Sequence, residues 1–200
     1  MDAKLKALEL RDTWVLVDHA IVKRGRVLSG KWVFRLKTAA DETIKRFKAR
    51  WVVRGYDQHH GIDFDQTFAP VSRHTSVRIL LDIAIAKHLP LRQIDVKNAF
   101  LYALVDATNF VEQPHTYGEG DPRVCRPKKS LYGIKQAPRL WQQHLHKILL
   151  DIGFKQLPHD PRTYRLHFNG AYILLTVYVD NLLYTSTSNS LLHQFEQNLA

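Results

Sequence analysis

The stretch "ILLTVYVDNLLYTS", residues 173–186, is a long apolar run interrupted at its centre by Asp180 and Asn181. Apolar and β-branched residues at this density indicate buried, paired β-strands. A plain β-hairpin accounts for the interruption if Asp-Asn supplies the turn. A metal-binding carboxylate held between two buried strands accounts for it equally well. These residues alone leave both interpretations open.

The composition limits the class of protein. A chain of 200 residues with 45% hydrophobic content can bury a sizeable core in one large domain or two small ones. Cys125 is the only cysteine, which excludes disulfides within the chain and cysteine-based zinc sites and fits an intracellular, reducing compartment. The N-terminal residues predict a charged helix, and we expect no membrane span because no apolar run of about 18 residues occurs.

Positive charge is concentrated in two clusters. The net charge is +10, and residues 31–54 carry eight Lys/Arg against Asp41 and Glu42. Residues 123–147 carry seven Lys/Arg and no acid. Basic residues interleaved with aromatic ones suit a polyanion whose flat bases can stack. A solvated basic face would explain either cluster alone, but two clusters around an acid-bearing segment favour nucleic acid.

Strands and helices follow one another without strict alternation. "KWVFRLK" and "KRFKARWVVRG" predict one hairpin, with "AADE" as its turn, and Asn169-Gly170 predicts the turn of a second. "SVRILLDIAIAKHL" has the apolar spacing of a helix, and a second helix is predicted over 139–152, ending at Gly153. "LRQIDVKNAFL" predicts a buried strand that reaches Asp95. The order indicates an α+β fold.

Two acids lie where strands end or break. Asp95 and Asp180 each have an ordinary structural explanation as a helix cap or a turn residue. Together, with basic residues before and between them, they suggest carboxylates that bridge divalent metal ions. Two such ions about 3.5–4 Å apart can hold the attacking and leaving oxygens of a phosphoryl displacement. Mg²⁺ prefers oxygen ligands of this kind.

Five motifs occur in the order found in one family. They are "KWVFRLK", "FKARWVVRGYDQHHGIDFDQTFAPV", "IDVKNAFL", "LYGIKQAPRLW" and "YVDN". In sequence and separation they resemble copia-type retrotransposon reverse transcriptases from about Trp14 to Ala200. The resemblance implies the fingers and palm of a right-hand polymerase, and we expect a fragment that lacks the thumb. The expected division is a lead-in and fingers over 1–90, palm over 91–122, a return segment over 123–147, and palm with the metal-binding hairpin over 148–200.

The resemblance also implies roles for the acidic residues. Asp95 corresponds to the first metal-binding aspartate of the family, and the carbonyl of Val96 would touch a metal as well. Asp180 corresponds to the aspartate of the family's Tyr-Val-Asp-Asp loop. Asn181 stands where the family has its third catalytic aspartate. The family uses two Mg²⁺ ions, and we expect their occupancy to be reduced here.

Further residues match the family's nucleotide-binding segments. Phe100 matches the aromatic gate that rejects a 2′-hydroxyl, although a core Phe is the alternative. Lys48 and Arg50 match the fingers residues that meet the triphosphate, with either one as the residue that reaches it. The segment that flanks the nucleotide and template supplies Tyr132, Gly133, Lys135 and Gln136, of which Gly133 has the alternative role of a turn former.

The implied activity is RNA-directed DNA synthesis from deoxynucleoside triphosphates on an RNA or DNA template-primer. We expect this activity to be weak or lost because of Asn181 and the missing thumb. The alternative is a catalytically dead retroelement remnant that only binds nucleic acid. The resemblance implies a cytoplasmic location, within a virus-like particle if the element is intact, and the sequence does not define an oligomeric state.

Overall fold

The computed structural model describes residues 2–22, 26–115, 117 and 120–199. Its α-helices are α1 (Asp2–Glu9), α2 (His74–Ala86), α3 (Ala137–Ile152) and α4 (Asn189–Leu199). Its β-strands are β1 (Trp14–Val17), β2 (Val27–Leu28), β3 (Gly30–Thr38), β4 (Ile44–Val53), β5 (Leu91–Asp95), β6 (Phe110–Val111), β7 (Val124–Pro127), β8 (Lys155–Leu157), β9 (Asp160–Phe168), β10 (Ala171–Tyr178) and β11 (Asn181–Ser186). The mixed order confirms the α+β class. Within the described ranges, no helix has the length and apolarity needed to cross a membrane.

The chain divides into two compact units. The first unit comprises Met1–Phe68 and Phe100–Trp141, and the second comprises Ala69–Ala99 and Gln142–Ala200. Each unit therefore contains two separate stretches of the sequence, and each has its own β-sheet.

The first unit contains a four-stranded sheet in the order β1-β7-β6-β2. β2 and β6 run parallel, while the other neighbours are antiparallel. β1 and β7 are far apart in the sequence but pair with each other, with Trp14 opposite Pro127 and Val17 opposite Val124. The core of this unit includes Leu8, Leu28, Trp51, Leu101 and Leu131.

A separate two-stranded ribbon, β3 with β4, belongs to the same unit. Trp32 lies opposite Trp51, and the strands remain in register as far as Lys37. The turn has the predicted position, because the N–H of Ala39 donates to the carbonyl of Thr43 at 2.9 Å. The first predicted hairpin is therefore confirmed.

The second unit is built on a five-stranded antiparallel sheet in the order β5-β11-β10-β9-β8. Helices α2 and α4 pack against β10 and β11. The side chains of Ile173, Leu175 and Leu182 are fully buried in this core. Asn169 and Gly170 join β9 to β10 at the predicted turn, and their φ values of +48° and +77° are typical of type I′.

Two predictions about local structure need correction. The strand before Asp95 was predicted to be buried, and this was wrong, because β5 is an edge strand that, among the residues the structure describes, pairs with β11 alone. Leu91 is 44% exposed as a result. The helix predicted from residue 139 begins at Ala137 and ends at Ile152 as expected, with Gly153 next at a φ of +106°.

Candidate functional site

A tight turn presents Asp180 between β10 and β11. Tyr178 pairs with Asn181, so the two central residues are Val179 and Asp180, one position earlier than the predicted Asp-Asn turn. Val179 has a φ of +57°, a strained conformation for a β-branched residue. Positive φ at the first central residue alone is typical of a type II′ turn. The hairpin interpretation of this stretch is confirmed, with the turn shifted by one residue.

Strand β5 brings Asp95 next to this turn. β11 pairs with β5 so that Asn181 lies directly opposite Asp95. The N–H of Val96 donates to the carbonyl oxygen of Asp180 at 2.9 Å, which holds the end of β5 against the turn. Residues opposite each other across an antiparallel pair have Cβ atoms about 4.5–5.5 Å apart. The structure therefore places Asn181 next to Asp95, and Asp180 lies in the turn immediately before Asn181.

The amide of Asn181 is engaged at both ends. Its Nδ2 donates to Oδ1 of Asp180 at 3.2 Å, and its Oδ1 accepts from Nε2 of Gln93 at 2.9 Å. In this orientation Asn181 directs a donor, not a ligand oxygen, toward the Asp180 carboxylate. Gln93 was not singled out from the sequence, although it lies two residues before Asp95 on β5 and so shares its face of the strand.

The donor set around the turn suits a hard cation. Asp95 is exposed and Asp180 is half-buried, so both carboxylates are open to solvent. Carboxylate and backbone carbonyl oxygens are the ligands that Mg²⁺ takes in proteins. Among the residues that the structure describes, no group of three His, Cys, Asp or Glu is placed to hold a metal ion. The assignment of Asp95, Asp180 and the Val96 carbonyl as metal ligands remains a prediction.

The ribbon of the first unit has one basic and one apolar face. Lys48 pairs with Arg35, and Arg50 pairs with Val33. Alternate residues of a strand point to the same face, so Lys48 and Arg50 lie together with Arg35 on the basic face. The opposite face carries aromatic side chains such as Phe34 and Phe47, which are 65% and 80% exposed. Both predicted triphosphate residues are thus accessible from one side of β4.

The ring of Tyr132 contacts two of the other predicted residues. The guanidinium carbon of Arg50 lies 5.9 Å from the ring centroid. The ring of Phe100 lies 4.8 Å from it and is tilted by 60°. Phe100 is half-buried and packs against the core of the first unit. Its position suits a packing residue, and its role as a sugar gate remains a prediction.

Two glycines allow the segment after Tyr132 to lie directly on the end of β4. The N–H of Val53 donates to the carbonyl of Tyr132 at 2.9 Å. Gly133 has a φ of +99°, and a Cβ there would lie 2.0 Å from the carbonyl oxygen of Val53. A Cβ on Gly55 would lie equally close to the carbonyl oxygen of Gly133. Gly133 therefore has a packing role in addition to the turn role that the sequence allowed.

Gln58 and Gln136 form a buried hydrogen-bonded pair, and Gln58 also binds the backbone of Lys135. Nε2 of Gln58 donates to Oε1 of Gln136 at 3.1 Å, and Oε1 of Gln58 accepts the Lys135 N–H at 2.7 Å. Gln136 also donates to the carbonyl of Asp63 at 3.0 Å. Gln136 is fully buried, so its contacts in this structure are with protein, and its predicted contact with a nucleotide remains a prediction. No pattern in the sequence indicated Gln58, because its partners lie 77 and 78 residues away.

Comparisons with known proteins agree with the motifs. A family model described as "Reverse transcriptase (RNA-dependent DNA polymerase)" matches residues 11–200. The whole chain is 37% identical to the retrovirus-related Pol polyprotein from transposon RE1 of Arabidopsis thaliana and 36% identical to that from transposon TNT 1-94 of Nicotiana tabacum. Over 94% of its length it is 25% identical to the transposon Ty1-BL Gag-Pol polyprotein of Saccharomyces cerevisiae. The chain spans 14%, 15% and 10% of these three relatives, respectively.

Proposed function

The chain belongs to the copia-type retrotransposon reverse transcriptases, as a reverse transcriptase domain of a Pol polyprotein, and from that premise we propose that it binds a template-primer and a deoxynucleoside triphosphate. The observation that carries the proposal is the Asp180 turn held against the end of β5 beside Asp95. We propose that the first unit contains fingers elements and the second contains palm elements. The division into 1–90, 91–122, 123–147 and 148–200 remains a prediction.

The carboxylates of Asp95 and Asp180 are proposed to hold Mg²⁺ together with the carbonyl of Val96. When bound, Mg²⁺ neutralises the charge that develops on phosphate oxygens during phosphoryl transfer and lowers the pKa of an attacking hydroxyl. The backbone hydrogen bond from Val96 to Asp180 holds the end of β5 against the turn before a ligand arrives. Such preorganisation avoids reorganisation during the reaction.

The basic face of the ribbon is proposed to bind phosphate groups. Lys48 and Arg50 are half-buried on β4, so less side-chain entropy is lost on binding than for fully exposed cations. Arginine also offers a planar fork that suits phosphate oxygens. We propose that either residue meets the triphosphate and that Phe100 limits the space beneath the sugar.

A second function, nucleic-acid binding without polymerisation, is favoured by one observation. Asn181 directs its amide nitrogen toward Asp180, at the position where the family carries an acid. The loss of one negative charge weakens the site for a second divalent ion, whereas the basic ribbon does not depend on that charge. Under this alternative the chain binds a template-primer but extends it slowly or not at all.

The experiment that tests phosphate binding is a salt titration of primer-template affinity. On duplex DNA, a plot of log affinity against log salt concentration has a slope of about −0.9 for each phosphate neutralised. We expect the double substitution Lys48→Ala and Arg50→Ala to flatten this slope by about one to two units. Lys155→Ala is the matched control, because Lys155 is exposed on β8, at the opposite edge of the sheet from β5. An affinity that does not change with salt, or that is absent at low salt, would overturn the proposal.

A further inference from the structure

Helix α1 is fixed against the first unit by apolar contacts and by its C-terminal cap. Leu5 and Leu8 are 8% and 2% exposed, and Leu8 belongs to the core of this unit. At the C-terminus, Oγ1 and the N–H of Thr13 both donate to the carbonyl of Leu8, at 2.7 and 3.2 Å. The helix packs against β4. A side chain on the inner face of α1 therefore has a defined position relative to the basic face of the ribbon.

Lys4 is the cation on that inner face. It is half-buried, and its Nζ lies 5.5 Å from the centroid of the Tyr132 ring. Arg50 approaches the same ring at 5.9 Å. Two cations from different elements thus meet at one aromatic side chain, which also packs against Phe100.

The charged groups that act on Lys4 are Arg50 and Lys48 on β4 and Arg11 in the segment after α1. Burial, followed by the positive charges of Arg50, Arg11 and Lys48 in that order, lowers the pKa of Lys4 to about 8. Arg11 is itself held by Tyr102, to whose hydroxyl it donates at 3.0 Å. Crowding of like charges makes the protonated form of Lys4 costly, and a bound polyanion would remove this cost.

We propose that Lys4 completes a phosphate-binding site with Lys48 and Arg50 around Tyr132, so that α1 contributes directly to ligand binding. The proposal rests on the proposed function of Lys48 and Arg50, and it adds a residue that lies outside the five motifs. The phosphates can belong to a free triphosphate or to a nucleic-acid backbone, since both offer the same oxygens to the three cations. Bound phosphate raises the pKa of Lys4, so binding above pH 8 is accompanied by proton uptake at its Nζ.

The test is calorimetry of the full chain with inorganic tripolyphosphate and, separately, with a primer-template duplex. Titrations at pH 8.5 in two buffers of different ionisation enthalpy give the number of protons taken up. At that pH about a quarter of Lys4 is charged, so full protonation on binding takes up roughly three-quarters of a proton. Lys4→Met removes the charge but keeps a long apolar side chain. Lys6→Met is the matched control, because Lys6 is exposed on the same helix.

We expect Lys4→Met to weaken binding roughly tenfold and to lose the proton uptake, with Lys6→Met close to the unaltered chain. Lys4→Arg should keep the affinity and also lose the proton uptake, because arginine stays charged at this pH. A loss confined to tripolyphosphate identifies a triphosphate site, and a loss confined to the duplex identifies a backbone site. If the unaltered chain binds and the Lys4→Met and Lys6→Met variants behave alike, the role of Lys4 is overturned but the proposed function is not. No binding by the unaltered chain overturns the proposed function as well.

Discussion

Replacement of Gly133 by alanine tests how closely the segment after Tyr132 must approach β4. A Cβ at Gly133 would lie 2.0 Å from the Val53 carbonyl oxygen and 2.8 Å from Cγ1 of Val52. Ordinary contact begins at about 3.4 Å, so the two backbones must separate by more than an ångström. Overpacking of this kind costs about 1–3 kcal/mol, and the left-handed backbone conformation adds about 1–2 kcal/mol. We therefore expect Gly133→Ala to lower the free energy of unfolding by about 2–5 kcal/mol.

Thermal unfolding measures this loss, and a second glycine isolates its cause. For a chain of this size each kcal/mol shifts the melting temperature by about 2–4 °C, so Gly133→Ala should lower it by roughly 4–20 °C. Gly61 has a φ of +79° but no atom within 4 Å of an added Cβ, so Gly61→Ala carries the backbone cost alone. We expect its melting temperature to fall by only a few degrees. Equal losses in the two variants would refute the packing role of Gly133.

Two further substitutions test neighbouring residues. Phe100→Ala should raise the incorporation of ribonucleotides relative to deoxynucleotides in any chain that polymerises, because the ring no longer limits the space beneath the sugar. Unchanged sugar selectivity would assign Phe100 a packing role in the core alone. Gln58→Ala should lower the free energy of unfolding, measured by urea denaturation, by about 1–3 kcal/mol, because the Lys135 N–H loses its acceptor and Oε1 of the buried Gln136 loses its donor. Gln66→Ala, at an exposed position, is its control, and equal losses in the two would show that the Gln58 bonds contribute nothing.

Local patterns in the sequence predicted the elements well. Alternating apolar residues and Asn169-Gly170 were enough to predict two hairpins, because strand period and turn type depend on neighbouring residues. Gly153 marked the end of α3 for the same reason. The motifs in their order were enough to identify the family, which the comparisons confirmed. Positions at the end or break of a strand singled out Asp95 and Asp180.

Pairing between strands and side chains that are far apart in the sequence could not be predicted. Apolar residues in β5 indicate a strand but not whether one or two neighbours pair with it, so the prediction of a buried strand was wrong. The turn at Asp180 was misplaced by one residue because Val179 adopts a conformation that a β-branched residue normally avoids. Gln93 meets Asn181 across 88 residues, and Lys4 meets Tyr132 only after α1 has packed on β4. Contacts of this kind depend on the tertiary fold.

Primer extension by the unaltered chain and by Asn181→Asp, measured side by side with Mg²⁺ and with Mn²⁺, tests the central claim most directly. Aspartate at this position removes the donor that Asn181 directs at Asp180 and places a second carboxylate beside it. Repulsion between the two acids is relieved by a bound cation, so the site for a second divalent ion is strengthened. Each 1.4 kcal/mol of transition-state stabilisation is about tenfold in rate, and we expect Asn181→Asp to extend the primer at least tenfold faster than the unaltered chain. Equal, measurable rates of primer extension by the two chains would contradict the account.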